Sequence, residues 1–425
     1  MGMIARATHG HARRAFLRAV ALAAAGAALP LRSAPVRARV VVVGGGFAGA
    51  GCAMALRARD PSIAVTLVDP DADYVSGPMS NAVLAGWRSI GSITVTRSGL
   101  ARAGVRVVGE RVRAVDAAAR TVALAGGTDL RYDRLVVAPG IRFLWGKPQG
   151  YDEAASRRMP HAWIAGRQTE LLAAQLRAMD DGGVVAISVP SGLMRCPPGP
   201  YERASAIAAW LRQHKPRSKV LILDANNHFP RQQIFEDAWK KHYPGMVEWI
   251  ASTEGGAVER VDVDKSTLYT SRGAQRAAVA NIIPPQAPGQ IALDAGLASG
   301  HGWCPVTAAS FESALVEHVH VIGDACIAGA MPKSASAAHS QALHCADAIV
   351  ALLAGREPAT AEFDSVCYSL LAQHDALSIH ARFAVENGEI RSLPLPSPTR
   401  AASPQEEATL AERWYRQIVA DSFGV

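Results

Sequence analysis

The stretch from residue 39 to residue 69, RVVVVGGGFAGAGCAMALRARDPSIAVTLVD, decides the fold. It places an alanine-rich run between two β-branched runs, a pattern typical of strand, helix and strand. The predicted elements are a strand at residues 40–43, a helix at residues 50–59 and a strand at residues 64–68. The stretch therefore predicts a βαβ unit with parallel strands.

Three glycines and one acid give this unit the fingerprint of a nucleotide-binding site. Gly44, Gly46 and Gly49 form the pattern G-x-G-x-x-G, and Asp69 closes the second strand. Gly44 permits a tight turn, Gly46 lets the backbone approach a pyrophosphate, and Gly49 allows close packing. The helix N-terminus favours phosphate, and Asp69 can accept hydrogen bonds from ribose hydroxyls. A tight turn without a ligand is disfavoured, because all these parts are in register.

Composition narrows the class of protein. The chain has 425 residues, enough for two or three domains, and 49% of them are hydrophobic. Its formal net charge of +7 comes mainly from residues 1–38, which contain six arginines and no acid. The other residues carry 38 basic and 37 acidic side chains. This balance excludes a basic stripe of the kind that binds nucleic acid.

The N-terminal residues are typical of an export signal. Paired arginines at residues 13–14 are followed by Phe-Leu at residues 16–17 and by an apolar run at residues 19–29. The pattern resembles a twin-arginine signal, so we expect residues 1–38 to direct export to the periplasm and to be cleaved. A membrane anchor is the alternative, but the run is short and alanine-rich. No other segment is apolar enough to span a bilayer, so we do not expect an integral membrane protein.

The six cysteines form no metal or haem motif. They are Cys52, Cys196, Cys304, Cys326, Cys345 and Cys367. No two are spaced as C-x-x-C, so we expect no zinc cluster, and without C-x-x-C-H the chain attaches no c-type haem. The histidines show no metal-ligand spacing. In an oxidising compartment, a pair that lies close in the fold could persist as a disulfide.

A second α/β unit occupies the middle of the chain. It has predicted strands at residues 184–189 and 219–223 and a predicted helix at residues 201–213. The loop after its first strand contains Arg195 and two prolines where a pyrophosphate requires bare backbone. We therefore expect the fold unit without NAD binding. Cys196 lies near the start of the helix, and we expect the helix N-terminus to lower the pKa of its thiol.

The remaining segments extend these two units. Residues 105–108, 113–115 and 121–124 predict the strands of an antiparallel meander. Residues 356–425 contain a predicted helix near residues 406–420 and look like a small appended interface domain.

One strand end carries an acid that suits a flavin. The predicted strand at residues 319–322 is followed by Gly323 and Asp324, and a helix is predicted at residues 334–353. An acid in this position can bind the ribitol of FAD, and the positive end of the helix can stabilise a reduced flavin ring. Asp324 could also cap a helix, and the two roles are compatible.

Four longer segments have the character of family motifs. They are RCPPGPYERAS at residues 195–205, GWCPV at residues 302–306, HVIGDAC at residues 320–326 and MPKS at residues 331–334. Together they resemble the flavoprotein subunit of flavocytochrome c sulfide dehydrogenase. The resemblance extends from about residue 39 to the C-terminus. It implies an α/β fold with two Rossmann-like dinucleotide-binding domains, as in glutathione reductase, and a small C-terminal α+β interface domain.

The resemblance also implies an order of domains. The FAD-binding domain is expected at residues 39–150 and 285–355, and the second Rossmann-like domain, without an NAD motif, at residues 151–284. The C-terminal domain is expected at residues 356–425.

FAD is the cofactor that the resemblance implies. The expected cofactor-binding residues are Gly44, Gly46, Gly49, Asp69, Ala138, Gly140, Gly323, Asp324 and Lys333. The family attaches FAD through a cysteine at a position where this chain has Gly77. Glycine cannot form a thioether, so we predict non-covalent FAD.

The resemblance implies a redox-active disulfide beside the flavin. Its cysteines match Cys196 and Cys367, although a static disulfide is the alternative. Glu202, near the same helix start, is expected to shuttle protons, or else to be a first-turn acid without a catalytic role. The implied function is oxidation of sulfide or polysulfide in the periplasm, with electrons passing to a separate c-type cytochrome subunit.

Three other functions compete with this one. An accessory flavoprotein of the periplasmic sulfur-oxidation system would act on the thiol of a sulfur-carrier protein. A membrane-bound sulfide:quinone oxidoreductase is disfavoured, because residues 400–425 contain four acids, which are unfavourable beside anionic lipid. An NAD-linked disulfide reductase is disfavoured by the missing second glycine motif.

Overall fold

The chain folds into both strands and helices. The computed structural model describes residues 36–298, 300, 302–394 and 403–425. The elements up to residue 143 are the strands β1 (Ala38–Val43), β2 (Ile63–Val68), β3 (Asp73–Val75), β4 (Thr94–Thr96), β5 (Arg106–Val108), β6 (Val112–Asp116), β7 (Thr121–Leu124), β8 (Asp129–Arg131), β9 (Arg134–Val137) and β10 (Ile141–Phe143), and the helices α1 (Phe47–Arg59), α2 (Ser80–Leu84) and α3 (Ser98–Arg102).

The elements after residue 143 include six further helices among the described residues. The helices are α4 (Arg167–Ala178), α5 (Gly199–His214), α6 (Gln232–His242), α7 (Gln290–Asp294), α8 (Ala335–Leu353) and α9 (Pro404–Phe423). The strands are β11 (Val184–Val189), β12 (Lys219–Asp224), β13 (Val247–Ile250), β14 (Arg260–Asp262), β15 (Thr267–Thr270), β16 (Gly273–Arg276), β17 (Val279–Ile282), β18 (Gln286–Pro288), β19 (Cys304–Pro305), β20 (Val319–Val321), β21 (Cys326–Ile327), β22 (Glu362–Ala372), β23 (Asp375–Glu386) and β24 (Glu389–Leu393).

Five strands form the first parallel sheet, in the order β20-β9-β1-β2-β5. Strand β1 is central and almost wholly buried, which explains its unbroken run of valines. It pairs with β2 in parallel register, as the βαβ prediction requires. The predicted meander is wrong in one strand: β5 pairs in parallel with β2 at the sheet edge, and the meander consists of β6, β7 and β8.

A second parallel sheet has the order β13-β12-β11-β17. The two sheets confirm the predicted fold class of two Rossmann-like units. Between them, β10 pairs with β18 in antiparallel register. Strand β10 precedes the strands of the second sheet in the chain and β18 follows them, so this pair holds the two connections between the sheets side by side.

The C-terminal strands β22, β23 and β24 form an antiparallel sheet that packs with α9. Helix α9 also packs on α1, the helix of the first βαβ unit. Phe423, at the end of α9, stacks on Tyr74 with ring centroids 5.3 Å apart and meets Phe47 edge-on at 5.5 Å. The C-terminal segment and the first sheet therefore share one hydrophobic core.

The described residues from residue 37 onward form one compact unit. The predicted export signal lies outside the described residues, apart from residues 36–38. In the part of the chain that the structure describes, none of the helices is both long and apolar enough to cross a bilayer.

Candidate active site

A cavity of about 340 Å³ lies at the carboxyl ends of the first sheet. Loops after β1, β2, β9 and β20 line one side, which is where open parallel sheets bind ligands. The start of α5, the start of α8 and residues 367, 368 and 370 of β22 also line the cavity. We call this space the central cavity.

Two glycines of the first loop are explained by packing. Gly44 has φ of 96°, and a Cβ there would lie 2.2 Å from the carbonyl oxygen of Ala138. A Cβ on Gly49 would lie 1.9 Å from the carbonyl oxygen of Gly44. Gly49 does not line the central cavity, so its role is to let α1 pack close to the loop.

Neither backbone strain nor packing within the protein requires a glycine at position 46. Its φ is −78°, which any residue adopts, and a Cβ would meet nothing nearer than the Tyr74 ring at 3.6 Å. The residue lines the central cavity just before the N-terminus of α1. A bare backbone facing open space at a helix N-terminus fits a phosphate group that approaches closely.

Asp69 and Arg97 lie together beside this loop. The Asp69 carboxylate accepts hydrogen bonds from the backbone N–H of Gly45 at 2.5 Å and of Asp71 at 3.0 Å. The Arg97 Nη2 lies 3.2 Å from Asp69 Oδ1, and its Nη1 donates to the carbonyl of Gly45. Arg97 is buried and lines the cavity. Arg97 was not predicted from the sequence, because no motif surrounds an arginine that lies between small polar residues.

Asp324 lines the central cavity from the loop after β20. Burial raises the pKa of its carboxyl, while Arg195 and Lys333 act to lower it. The Arg195 Nη1 lies 3.9 Å from Asp324 Oδ2. Lys333, predicted to bind the cofactor, does not line this cavity: its ammonium donates to the carbonyls of Asp324 at 2.7 Å and Cys326 at 2.8 Å. Lys333 therefore holds the loop that presents Asp324.

Cys196 and Cys367 both line the central cavity, as free thiols. Cys196 has φ of 52°, in the left-handed region. Its N–H donates to the carbonyl of Lys333 at 2.8 Å, and its own carbonyl accepts from the N–H of Gly199 at 2.8 Å. A Cβ on Gly199 would lie 2.8 Å from the Trp163 ring and 3.2 Å from the Cys196 sulfur, so this glycine makes room for both side chains.

The predicted effect of the helix on Cys196 is wrong. Burial raises the pKa of the Cys196 thiol, and the neighbouring Cys367 and Glu202 raise it further. Arg195 lowers the pKa, but it does not outweigh desolvation. Cys196 lies three residues before the first residue of α5, so the helix N-terminus does not decide the pKa of its thiol.

Glu202 lies in the first turn of α5 and acts on both cysteines. Its Oε1 accepts from the N–H of Leu370 at 3.0 Å, and its Oε2 accepts from the Asn81 side chain at 3.0 Å. Burial raises the pKa of the Glu202 carboxyl, and these two donors together with Arg203 partly offset the effect. A carboxyl with a raised pKa beside two thiols suits proton exchange with them.

The second sheet does not offer a ribose-binding acid. Asp224 ends β12, where a dinucleotide enzyme would place that acid, but its side chain is buried. Its Oδ2 accepts from the Tyr201 hydroxyl at 2.6 Å and from the Trp249 indole at 2.9 Å. Its Oδ1 accepts from the backbone and side chain of Asn226. This carboxylate is occupied within the protein, which adds to the argument against NAD at this sheet.

The structure thus brings the predicted site residues into one cavity, except for Gly49 and Lys333. The residues that line it are Gly44, Gly46, Asp69, Ala138, Gly140, Cys196, Glu202, Gly323, Asp324 and Cys367. Gly77 also lines the cavity, and a Cβ there would meet nothing within 4 Å. Tyr74, Arg97 and Trp414 are cavity residues that the sequence analysis did not identify.

Three family models match successive parts of the chain. Residues 38–155 match pyridine nucleotide-disulphide oxidoreductase. Residues 169–284 match the central part of the sulfide dehydrogenase [flavocytochrome c] flavoprotein chain. Residues 359–423 match the flavin-binding part of flavocytochrome c sulphide dehydrogenase.

Individual proteins that resemble this chain are also flavoproteins or enzymes named for their action on sulfide. The chain is 64% identical over 45 residues to the sulfide dehydrogenase [flavocytochrome c] flavoprotein chain of Chlorobaculum thiosulfatiphilum, which covers 11% of this chain and 94% of that sequence. It is 26% identical over 240 residues to the sulfide-quinone reductase of Aquifex aeolicus, and the alignment spans about half, 53%, of each protein. The solved sulfide:quinone oxidoreductase of Aquifex aeolicus has the same fold, with a TM-score of 0.70, 18% identity, and coverage of 91% of this chain and 92% of that one.

These matches indicate FAD as the cofactor, and the cavity fits it. The open space at Gly46 is the observation that tests this fit, because neither packing nor backbone strain requires a glycine there and the residue borders the central cavity. The first loop and the N-terminus of α1 would hold the phosphates, Asp69 the adenosine ribose, and Asp324 the ribitol.

Proposed function

We propose that this chain, which belongs to the flavoprotein family of flavocytochrome c sulfide dehydrogenase, oxidises sulfide through a Cys196–Cys367 disulfide. The observation that carries this proposal is the meeting of both thiols and Glu202 in the cavity that fits the flavin. These residues come from α5, from the loop before it and from β22, which are distant in sequence. A purely structural disulfide would not need a cavity or a buried acid beside it.

The proposed chemistry is thiol–disulfide exchange. Hydrosulfide attacks one sulfur of the disulfide, a sulfur–sulfur bond forms to that cysteine, and the other cysteine leaves as a thiolate. The disulfide is the two-electron oxidant in this step. FAD, when bound, supplies the chemistry that accepts two electrons and releases them singly. Repeated exchange would release the product as polysulfide or zero-valent sulfur.

Glu202 is proposed to exchange protons with the two thiols. Its two carboxylate oxygens accept hydrogen bonds from neutral donors, the backbone N–H of Leu370 and the side-chain amide of Asn81. The raised pKa of the carboxyl makes it easier to protonate than an exposed glutamate. It can therefore accept a proton from an incoming hydrosulfide or from Cys196 and return it later.

We also propose the location, the partner and the state of the cofactor. The twin-arginine pattern supports export to the periplasm, and a chain without a haem motif requires a separate electron acceptor, for which a c-type cytochrome subunit is the family's choice. Gly77 faces the central cavity and offers no sulfur, which supports non-covalent FAD. Acid precipitation should then release all the flavin, whereas a yellow precipitate would contradict this proposal.

Substitution of each cysteine tests the proposed mechanism. We expect Cys196→Ser and Cys367→Ser to abolish reduction of the bound flavin by sulfide under anaerobic conditions, while dithionite still bleaches it. Cys345→Ser is a matched control, because Cys345 is buried on α8 away from the central cavity. Sulfide-dependent bleaching at the wild-type rate in Cys196→Ser would overturn the mechanism.

A second function remains open, that of an accessory flavoprotein that acts on the thiol of a sulfur-carrier protein. The glycine at position 77 favours it slightly, because this chain departs there from the family's covalent attachment. Isolation from the native host discriminates between the two. A cytochrome that co-purifies supports sulfide dehydrogenase, and a carrier protein in its place supports the accessory function.

A further inference from the structure

The side chain of Asn81 joins the acid of the central cavity to a buried arginine. Its Nδ2 donates to Glu202 Oε2 at 3.0 Å and to the carbonyl of Gly199 at 3.3 Å. Its Oδ1 accepts from Arg203 Nε at 3.1 Å. Asn81 lies near the start of α2, is 8% exposed and lines the central cavity. Both ends of the amide therefore make hydrogen bonds inside the protein.

These partners leave the amide of Asn81 a single orientation. An arginine side chain has only donors, and an ionised carboxylate has only acceptors. If the amide were turned over, its nitrogen would face the Arg203 donor and its oxygen would face the Glu202 carboxylate, so both hydrogen bonds would be lost. Arg203 thus fixes which end of Asn81 faces Glu202.

Arg203 is held in place by neutral oxygens. It is 2% exposed, and its Nη1 donates to the carbonyl of His161 at 2.9 Å and to Asn281 Oδ1 at 3.0 Å. Its Nη2 donates to the carbonyl of Ala162 at 2.5 Å. Burial lowers the pKa of the Arg203 guanidinium to about 10, which still leaves the group charged at neutral pH. A fixed cation therefore reaches Glu202 through the neutral amide of Asn81.

The neutral amide between these two side chains leaves Glu202 able to take up a proton. An arginine in direct contact with a carboxylate stabilises its charge and lowers its pKa strongly, whereas burial raises the pKa of the Glu202 carboxyl. The described titratable groups that interact with Glu202 are Cys196 on the loop before α5, Cys367 on β22 and Arg203 on α5 itself. Helix α2, which supplies Asn81, has no titratable side chain.

We propose that Asn81 is a positioning residue that holds Glu202 for proton exchange with the two cysteines, and that Arg203 fixes the orientation of the Asn81 amide. Asn81 and Leu370 each donate to one oxygen of the carboxylate, and each oxygen keeps a further lone pair for a proton. The proton comes from hydrosulfide or a thiol and returns to a sulfur, so this step oxidises nothing. The role rests on the proposed function of Glu202 and adds the residues that position it.

The first test measures the ionisation of Glu202 without sulfide. Infrared spectra of the FAD-containing protein are recorded against pH, and the carbonyl band of the protonated carboxyl is identified by its absence in Glu202→Gln. In Asn81→Ser, we expect the midpoint of this band to rise by about one pH unit, because a lost donor no longer favours the carboxylate. Ser80→Ala is the control, because Ser80 is buried on the same helix and lines the same cavity, but the described donors to Glu202 do not include it. An unmoved midpoint in Asn81→Ser, or an equal shift in Ser80→Ala, would overturn the proposal.

An exchange of the two side chains tests the contact itself. Asn81→Asp places a second carboxylate against Glu202, and we expect chemical denaturation at mildly alkaline pH to show a loss of stability. Adding Glu202→Gln makes the amide and the carboxylate change places, which restores the hydrogen bond and the net charge. We expect the double variant to regain most of the lost stability. Losses that simply add would contradict the contact.

Flavin reduction by sulfide connects the contact to the reaction. In Asn81→Ser, we expect the acidic limb of the rate to move to higher pH by the same amount as the infrared midpoint. In the Glu202→Gln background, Asn81→Ser should leave the pH dependence unchanged. A fall in rate at every pH without a shift of the limb would overturn the proposal. If sulfide fails to reduce the wild-type flavin while the infrared midpoint still moves in Asn81→Ser, the proposed function fails and the positioning by Asn81 stands.

Discussion

At the residue scale, we expect two glycines of the first loop to have different roles: Gly44 is needed for packing, and Gly46 is needed for ligand binding. Gly44→Ala would place a Cβ 2.2 Å from the Ala138 carbonyl oxygen at a φ of 96°. We expect this variant to lose at least about 1–2 kcal/mol in free energy of unfolding. Gly46→Ala meets no protein atom within 3.6 Å, so its stability should stay within about 0.5 kcal/mol of wild type.

We expect Gly46→Ala to weaken FAD binding although it leaves the stability of the protein unchanged. A methyl group there enters the space that a phosphate would use, and we expect FAD affinity to fall at least about tenfold, equivalent to 1.4 kcal/mol. Fluorescence titration of FAD and chemical denaturation of the same samples measure the two effects. Unchanged FAD affinity in Gly46→Ala would show that the open space at this glycine serves no ligand.

Glu202 gives a prediction about pH. Burial raises the pKa of its carboxyl, so the group becomes protonated, and unable to accept a proton, at a higher pH than an exposed glutamate. We expect the rate of flavin reduction, corrected for hydrosulfide concentration, to fall as pH decreases through this raised pKa. In Glu202→Gln, the acidic limb should disappear and the plateau should fall about 100-fold. An unchanged acidic limb would assign it to another group.

At the scale of elements, the end of α9 supports the wall of the central cavity. Phe423 is fully buried and stacks on Tyr74, which lines that cavity. We expect Phe423→Ala to cost about 3–5 kcal/mol in stability and to weaken FAD binding, because Tyr74 loses its support. Phe383→Ala, in β23, should cost similar stability but leave FAD affinity unchanged, since Phe383 does not line the cavity. Equal FAD loss in both variants would contradict the role of α9.

The helices and strands also show how far the fold could be predicted from the sequence. Local patterns were sufficient for the first βαβ unit, because β1, α1 and β2 are adjacent in the chain and their glycines serve each other. The edge strand β5 was misassigned, since its partner is chosen by sheet topology and not by its own residues. Arg97 contacts the first loop although it lies 52 residues from Gly45 in sequence, and no pattern in the neighbouring residues predicts such a contact.

The cysteine site shows the same limit more strongly. Cys196 and Cys367 are separated by 171 positions, so only a family resemblance could pair them before the fold was known. The expected pKa of Cys196 was wrong, because the helix start suggested stabilisation while burial dominates the folded protein.

At the scale of the whole molecule, segments from both sheet units and from the C-terminal part of the chain line the central cavity. The first sheet supplies the nucleotide loop, the segment before α5 supplies Cys196, and β22 supplies Cys367. The second sheet keeps the Rossmann order, but its Asp224 is occupied by Tyr201 and Trp249. We therefore expect electrons to enter from a sulfur substrate, not from a nicotinamide, and NADH should not bleach the flavin.

The most direct test is an anaerobic titration of the FAD-containing protein with sulfide, followed by addition of oxidised cytochrome c. The account predicts that sulfide bleaches the flavin absorbance and that the reduced protein then reduces the cytochrome, with the flavin spectrum restored. A flavin that stays oxidised in excess sulfide, while dithionite bleaches it normally, would contradict the proposed sulfide oxidation.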